Sequence, residues 1–460
     1  MHPKILTIMA ALLASAMTVG LGRQASAAEE GHVCDRVKPA ESDANMVTIF
    51  ITGNTLGQLK PCGCSGGQLG GFERRPVVMD QVSDSRRLAI DTGRFIEKTD
   101  QQDLIKFEII MQALSMLSYD TAVLSEKDYA TAKNLGLDQA GQLNFITTAK
   151  NEANLPAVFK KNVKVGGVSV SFAVVAINAA MAKTAADEIA KLEPNTIVIG
   201  VVDSTELPEA VSSRLDIAVV RAEDTDTPMV KSGKGQKPFV VTAGRKGKYI
   251  GRLDINFAGN GRQLKFEAIP VTDKLAVDKD LERLYKDYQA IVKDEDLLSK
   301  HPKFALPSGL EYVGSKSCAG SATMKNCHEY EYGKWKEKKH AIAMESLEKV
   351  GSDHDPECVV CHVVGFNYQG GFVKPEDEGK PGKADLMNVG CEACHGPGSK
   401  HLMTAGKART QEPKMKCADC HTPEQSPEFS SKESEYYNKV VHWKELKYAK
   451  PKFKIDPNIK

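Results

Sequence analysis

Three copies of the pattern Cys-x-x-Cys-His occur in the C-terminal third of the chain. They span Cys358–His362, Cys391–His395 and Cys417–His421, all within about 65 residues. In such a motif the two thiols can add across the two vinyl groups of one heme, and the adjacent histidine can then ligate the iron. Structural zinc or a disulfide would also use these residue types, but neither explains three identical spacings. The motifs therefore predict three sites of covalent heme c attachment.

A fourth pair of cysteines is irregular. Cys327 and His328 form the expected ending, but the nearest upstream thiol is Cys318, with eight intervening residues instead of two. Removing residues 319–324 would leave Cys-Lys-Asn-Cys-His, so the segment has the form of a standard motif with an insertion. It predicts a fourth heme held by a stretched loop, and the alternative is a Cys318–Cys327 disulfide without heme.

The attachment thiols and the histidines that follow them form one predicted set. The thiols are Cys318, Cys327, Cys358, Cys361, Cys391, Cys394, Cys417 and Cys420, and the adjacent ligands are His328, His362, His395 and His421. An iron with two histidine ligands is closed to substrate and suited to electron transfer. The spare histidines that could complete such sites are His301, His340, His354, His401 and His442.

The segments that must position these residues are short. From Glu311 onward strand patterns are absent, while glycine, proline, cysteine and histidine are frequent. Such a stretch has too few aliphatic side chains to bury a core of its own. We therefore predict a mainly α, loop-rich heme domain over 311–450, followed by a tail at 451–460.

The preceding region has a different pattern. Short β-branched runs alternate with helical stretches such as Gln102 to Leu117, which predicts an α/β sandwich domain over 29–272. The predicted strands are Met46 to Thr52, Leu88 to Asp91, Thr121 to Leu124, Val168 to Ile177, Thr196 to Val202, Ile217 to Val220 and Phe239 to Ala243. A charged helical segment within 273–310, ending near Pro302 and Pro307, is predicted to link the two domains.

The first 28 residues have the form of a secretory signal. Lys4 precedes a mostly apolar run from Ile5 to Leu21, and Ala25-Ser26-Ala27 offers small residues for cleavage. A retained membrane anchor is the alternative, although the apolar run is short for a spanning helix. We expect a periplasmic, cell-surface or extracellular protein whose mature chain has no membrane span.

Charge and the remaining cysteines give weaker information. The 61 basic and 60 acidic residues nearly cancel, so overall charge gives no argument for nucleic acid, and redox proteins are the expected partners. The lysines at 334, 336, 338 and 339 could attract an acidic partner or simply form a solvated surface. Cys62 and Cys64 form either a redox-active or soft-metal pair, or one of them forms a disulfide with Cys34.

The heme region resembles the tetraheme cytochrome c-554 family. The resemblance lies in Tyr312–Ser315, Cys327–Glu329, Asp355–Phe366, Gly390–Ser399 and Cys417–Pro423, together with Trp335 and the Lys-His-Ala at 339–341. By this resemblance His340, His401 and His442 would be distal iron ligands. His354 is the ligand candidate for the fourth iron; the resemblance offers the alternative that this iron stays five-coordinate, as one iron in that family can.

The front region resembles the metallophosphatase domain of the exported 5'-nucleotidase family, which also contains a thiosulfate-oxidation hydrolase. The similar runs are Gly53–Leu59, Gly70–Arg75, Leu88–Arg94, Tyr119–Asp128 and Ala243–Asp254. The family's two-metal centre is missing at the matching positions, which hold Asn54, Leu56, Arg94, Glu126 and Lys127. The resemblance therefore implies a docking or assembly platform and no phosphatase activity.

Together these features predict an exported protein that carries electrons between redox partners through four covalent hemes. An oxidoreductase acting on a small nitrogen or sulfur compound at one open iron is the second hypothesis. A subunit of a self-associating cytochrome assembly is the third. The sequence presents no dedicated catalytic constellation, so no catalytic residue is assigned.

Overall fold

The computed structural model describes most of the chain. The described residues are 44–61, 67–138, 143–149, 155–204, 206–221, 225–233, 235–258, 261–307, 309–320, 327–375, 384–411 and 417–443. The predicted signal, the tail and Cys34, Cys62 and Cys64 lie outside these ranges.

The front region contains two β-sheets. Its strands are β1 Met46–Thr52, β2 Arg87–Asp91, β3 Thr121–Leu124, β4 Asn144–Thr147, β5 Val158–Val165, β6 Val168–Ile177, β7 Ile197–Val202, β8 Ile217–Val220, β9 Phe239–Thr242, β10 Tyr249–Asn256 and β11 Gln263–Pro270. One sheet has the order β11-β10-β1-β2-β3-β4, and the other has the order β5-β6-β7-β8-β9. Parallel pairing predominates, with antiparallel pairs at β1–β10, β10–β11 and β5–β6.

Helices connect these strands and then form the back region. The α-helices are α1 Arg75–Met79, α2 Gln101–Met116, α3 Glu126–Leu135, α4 Ala182–Ala190, α5 Glu209–Ser212, α6 Lys279–Asp294, α7 Leu297–Lys300, α8 Ser315–Ala319, α9 Glu329–Lys336, α10 Ala343–Glu348, α11 Pro356–His362, α12 Cys391–His395, α13 Ser399–Met403, α14 Cys417–Cys420 and α15 Phe429–Val440. Short 3-10 turns are Phe72–Arg74, Asp84–Arg86, Ala179–Met181, Lys339–Ile342 and Ala384–Leu386.

Local sequence explains where the main front helices begin. The Asp100 side chain accepts a hydrogen bond from the Asp103 backbone N–H and so caps α2. At α3, Ser125 and Asp128 form a reciprocal capping box, and Gly136 ends the helix with a left-handed backbone conformation. These caps satisfy backbone groups that the helices leave unpaired at their ends.

The two sheets pack face to face, with helices on their outer faces. The layer between them contains β-branched and aromatic side chains from both sheets, such as Ile49, Ile90, Phe172 and Ile199, all of which are buried. A second cluster lies between the first sheet and helices α2 and α6, and a third between the second sheet and helices α4 and α5. The predicted α/β sandwich is therefore confirmed.

The strands that periodicity identified are all present, but four others escaped it. These are β4, β5, β10 and β11. Strands β5 and β11 are exposed over much of their length, so their lysines and glutamates conceal the alternation that a buried strand would show.

Helix α6 contributes to the front core as well as connecting the two regions. Leu281, Leu284, Tyr288 and Val292 are its buried residues and belong to the same cluster as the buried face of α2. The hydrophobic spacing that predicted a linker helix therefore reflects packing against the sandwich.

The back region has helices of at most a few turns and one small apolar cluster. This cluster includes Leu298, Met344, Val359, Phe366 and Phe372. Strands β1 to β11 all lie before residue 271, and the described part of the back region has only isolated bridges such as Val363–Met387. The prediction of a mainly helical, loop-rich region is confirmed.

Candidate heme-binding region and its contacts

Three pairs of histidine rings lie close together in the back region. Their centroids are 6.3 Å apart for His340–His421, 6.4 Å for His395–His442 and 6.0 Å for His328–His401. Metal–nitrogen bonds of about 2 Å on both sides of one iron would separate two imidazole centroids by roughly 6 Å. Each pair joins a motif histidine to one spare histidine, so the residues fit an iron with two axial imidazoles.

Hydrogen bonds fix the orientation of several rings. The Nδ1 atoms of His362, His401 and His442 lie 2.7, 2.7 and 2.9 Å from the carbonyl oxygens of Ala343, Ala408 and Val440, and His421 Nδ1 lies 2.8 Å from Ser426 Oγ. A ring whose Nδ1–H donates to a carbonyl presents the lone pair of Nε2 to a metal. The sequence pattern did not identify the oxygen atoms that hydrogen-bond to these rings.

Burial also favours the ligating form of these histidines. Burial lowers the pKa of His362 and His421. The pKa of His340 and of His395 is lowered by burial and, to a smaller extent, by the charge of neighbouring histidines. The neutral imidazole is the form that binds iron. The environment therefore holds the rings in the protonation state that ligation needs.

The attachment motifs lie close together in couples. The Cys361 and Cys420 thiols are hydrogen-bonded, which joins the motif at 358–362 to the one at 417–421. The Cys318 and Cys391 thiols are also hydrogen-bonded, which joins the irregular motif to the one at 391–395. The fold thus brings the four predicted attachment motifs, which the sequence spreads over about 100 residues, into two couples.

Polar contacts position the motif helix α12. Its first backbone N–H, at Cys391, donates to Ser315 Oγ at 3.1 Å. The buried Glu392 carboxylate accepts backbone hydrogen bonds from Val313, Gly314 and Gly398 at 2.6 to 3.1 Å. Glu392 therefore holds two loop segments, at 313–314 and at Gly398, around one predicted attachment site, a function that sequence reasoning missed.

The irregular motif has its ends close together. Cys318 lies in α8, and the His328 backbone N–H donates to the Ala319 carbonyl at 3.3 Å. Residues 321–326, which include most of the inserted segment at 319–324, lie outside the described residues. The hydrogen bond between Ala319 and His328 keeps the two thiol-bearing ends near the His328–His401 pair.

His354 and His301 make other contacts. Lys374 Nζ donates to His354 Nε2 at 2.7 Å and to Asp353 Oδ2 at 2.6 Å. His301 Nε2 lies 2.8 Å from Asn367 Oδ1, and the ring stacks on Phe366. The structure therefore places Lys374 on the nitrogen with which His354 would bind an iron.

One cavity is lined in part by Ser315, whose Oγ accepts a hydrogen bond from the Cys391 backbone N–H. It has a volume of about 310 Å³ and is lined by Ser315, Tyr332, Trp335, Met387 and Asn388 among others. The Trp335 indole N–H donates to the Val389 carbonyl at 2.9 Å, which fixes one wall. A cavity of this size, at the lower limit of small-molecule sites, adjoins the predicted attachment site at Cys391.

The substituted phosphatase positions in the front region are filled by protein contacts. Asn54, Leu56 and Arg94 all have left-handed backbone conformations, and Asn54 Nδ2 donates to the Gly244 carbonyl at 2.7 Å. Lys127 Nζ donates to the Glu97 carbonyl. Among the described residues no group of three or more His, Cys, Asp or Glu side chains is placed to hold a metal ion.

The front region contacts the motif at 358–362 through polar side chains. Lys106 Nζ donates to Glu357 Oε1 at 2.6 Å. The Asp355 carboxylate accepts from Tyr288 OH at 2.9 Å and from Gln102 Nε2 at 2.8 Å. The donors come from α2 and α6; of the acceptors, Asp355 is the N-cap residue of α11 and Glu357 belongs to its first turn.

A second contact lies beside the motif at 417–421. Lys246 Nζ donates to Glu424 Oε1 at 2.7 Å, and Gln68 Nε2 donates to the carbonyls of Glu424 and Gln425 at 3.2 and 2.9 Å. Lys246 also donates its backbone N–H to Asn54, in the first substituted phosphatase motif. The front region therefore contacts two of the four predicted attachment segments.

Within the described part of the chain, no helix combines the length and the apolar character needed to cross a membrane.

Comparison with known sequences identifies similarity in the back region. The family model for cytochrome c554 and c-prime matches residues 323–396. Cytochrome c-554 of Nitrosomonas europaea is 36% identical over 110 residues, which cover 21% of this chain and 45% of that protein. The chain thus spans less than half the length of this curated relative. The resemblance of the back region to the cytochrome c-554 family is confirmed.

Comparison with solved structures identifies metallophosphatase-like folds. A 5'-nucleotidase precursor from Thermus thermophilus is 16% identical with a TM-score of 0.45, over 59% of this chain and 63% of that one. A calcineurin-like phosphoesterase from Bacillus subtilis is 11% identical with a TM-score of 0.42, over 54% of this chain and 97% of that one. The likeness is one of fold, and it lies in the front sandwich.

Proposed function

We propose that this chain is an exported tetraheme c-type cytochrome that carries electrons between redox partner proteins. The observation that supports it most is the set of three histidine pairs, each joining a motif histidine to a spare histidine at 6.0 to 6.4 Å between centroids. Pairs with this spacing suit irons closed to substrate, which exchange electrons without binding a reactant.

In this proposal the chain's residues have distinct tasks. The eight cysteines from Cys318 to Cys420 would attach the hemes, and His328, His362, His395 and His421 would each ligate an iron. His401, His442 and His340 would be the second ligands of the irons held by His328, His395 and His421, in that order. The bound hemes supply the redox chemistry, while the hydrogen bonds at Nδ1 orient the ligands.

Intact mass spectrometry tests the number of attached hemes. The wild-type chain should carry four, and a Cys318→Ser, Cys327→Ser variant should carry three. A wild-type mass corresponding to three hemes, unchanged in that variant, would show that the irregular motif is empty. Cys358→Ser, Cys361→Ser is the matched control, because it removes one heme from a regular motif.

Export is part of the same proposal, because covalent heme attachment and the N-terminal signal pattern agree on a compartment outside the cytoplasm. N-terminal sequencing of the mature protein should start near Ala28. A chain that retains Met1 and partitions with membranes would instead support the retained anchor.

A second candidate function is catalysis at the iron that His362 would ligate. The contact between Lys374 and the Nε2 atom of His354 favours an open sixth position there, and an open iron can bind a small nitrogen or sulfur compound. Carbon monoxide added to the reduced protein should then bind at one iron in four. Absence of binding would indicate that His354 or another residue closes this site, as the sequence-based ligand prediction for His354 requires.

A further inference from the structure

The contact between the front region and the motif at 358–362 involves charges as well as packing. Lys106 is a buried lysine, 5% exposed, whose ammonium group lies 2.6 Å from the Glu357 carboxylate. Glu357 directly precedes Cys358 in the chain, so this ion pair lies beside one predicted attachment thiol. A buried charge acts over a longer range than an exposed one, because water screens it less.

Lys106 stays charged in this setting. Burial acts to lower its pKa, but the carboxylates of Glu357, Asp355 and Asp103 outweigh it, and the net pKa is raised. Glu357 lies in the first turn of α11, the helix that carries Cys358, Cys361 and His362. The ammonium group of Lys106 therefore contacts the helix of the predicted attachment site directly.

Asp355 adds a geometric constraint to the electrostatic one. Its side chain caps α11 by accepting the Glu357 backbone N–H at 2.9 Å, and Pro356 occupies the first turn. The same carboxylate receives hydrogen bonds from Tyr288 and Gln102 of the front region. The helix that carries both thiols and His362 is thus held at its N-terminus by residues about 70 and 250 positions earlier in the chain.

We propose that the front region regulates the heme at Cys358 and Cys361: Lys106 raises its reduction potential, and Tyr288 and Gln102 are positioning residues for its attachment helix. This inference rests on the proposed function, since it requires a heme at that motif. Reduction adds an electron to the site, so a nearby positive charge stabilises the reduced form and a nearby negative charge disfavours it.

The test is a charge cycle read by a redox titration of the full-length, heme-loaded protein. Lys106→Met should lower the ratio of reduced to oxidised heme at this site about threefold at a fixed applied potential. Glu357→Gln should raise it about threefold, and the double variant should return close to wild type. A tenfold change in this ratio corresponds to about 59 mV for one electron. The signal is assigned by its loss in Cys358→Ser, Cys361→Ser.

Control variants separate charge from loosened structure. Lys106→Arg keeps the charge and should leave the potential unchanged, and Lys191→Met breaks an exposed ion pair with Glu188 on the far helix α4 and should have no effect. Tyr288→Phe, which removes a hydrogen bond to Asp355 and no charge, should broaden the EPR signal of this heme with little shift in its potential.

Two results would overturn the inference. Shifts of the same sign in Lys106→Met and Glu357→Gln would assign the effect to disturbed packing, and unchanged potentials in both variants would show that the ion pair does not act on the heme. Failure of the proposed function would look different: the wild-type mass would lack the heme at Cys358 and Cys361 before any variant is made.

Discussion

The two regions of the chain are stabilised in different ways. The front sandwich buries three large apolar clusters between two sheets and their covering helices, so its own side chains suffice to form a core. The back region has one small cluster and relies on short helices such as α11 with its Asp355 cap, on the buried carboxylate of Glu392 and on paired histidines. A fold can thus be specified by an apolar core, as in the front region, or by polar contacts around a predicted cofactor site, as in the back region.

The largest predicted effect is that of removing the hemes, which should unfold one region and not the other. Produced in a host without cytochrome c maturation, the back region should lose its structure, because cofactor binding supplies folding free energy that its own core lacks. The front region should stay folded. Limited proteolysis with mass mapping should therefore cut after about residue 311 and spare the sandwich; a protease-resistant back region without heme would contradict the comparison.

A core truncation in the front region should give the converse result. Phe172 is buried between the two sheets, and Phe172→Ala should cost about 3–5 kcal/mol of unfolding free energy. The heme spectra should not change, because the motifs lie in the other region. Denaturant unfolding followed by far-UV circular dichroism measures the loss of unfolding free energy. Phe304→Ala, at a side chain that is 67% exposed, is the control and should cost less than about 0.5 kcal/mol.

Replacing one second ligand should change one iron only. In His442→Ala the iron on His395 loses its opposing imidazole, so one low-spin signal should become high-spin while the global stability of the front sandwich is unchanged. His301→Ala is the matched control, because His301 bonds to Asn367 outside the three pairs. Identical spectra for wild type and His442→Ala would break the assignment.

The smallest predicted effect is a pH dependence of the front region. Burial raises the pKa of Glu108 from 4.5 to about 7. The folded state then binds more protons than the unfolded state between these values, so unfolding free energy should fall as pH rises from 4.5 to about 7 and level off above. Glu108→Gln should remove this slope and stabilise the protein by roughly 1 kcal/mol at pH 8. The exposed Glu97→Gln variant should retain the slope.

Most of the front fold was predictable because buried strands such as Ile197–Val202 leave a continuous apolar signal. Strands exposed on one side, such as Val158–Val165, left no such signal. In the back region the Cys-x-x-Cys-His spacing indicated the chemistry, yet the pairing of His340 with His421 depends on tertiary structure. The contacts of Lys106 and Tyr288 with the attachment helix were also hidden, because polar pairs so distant in sequence produce no local pattern.

The most direct test of the account is low-temperature EPR on the mature full-length protein whose intact mass has been measured. Four attached hemes with three low-spin ferric signals are predicted, one for each histidine pair. Fewer than three low-spin irons in a fully loaded protein would contradict the paired ligands on which the proposed electron transfer depends.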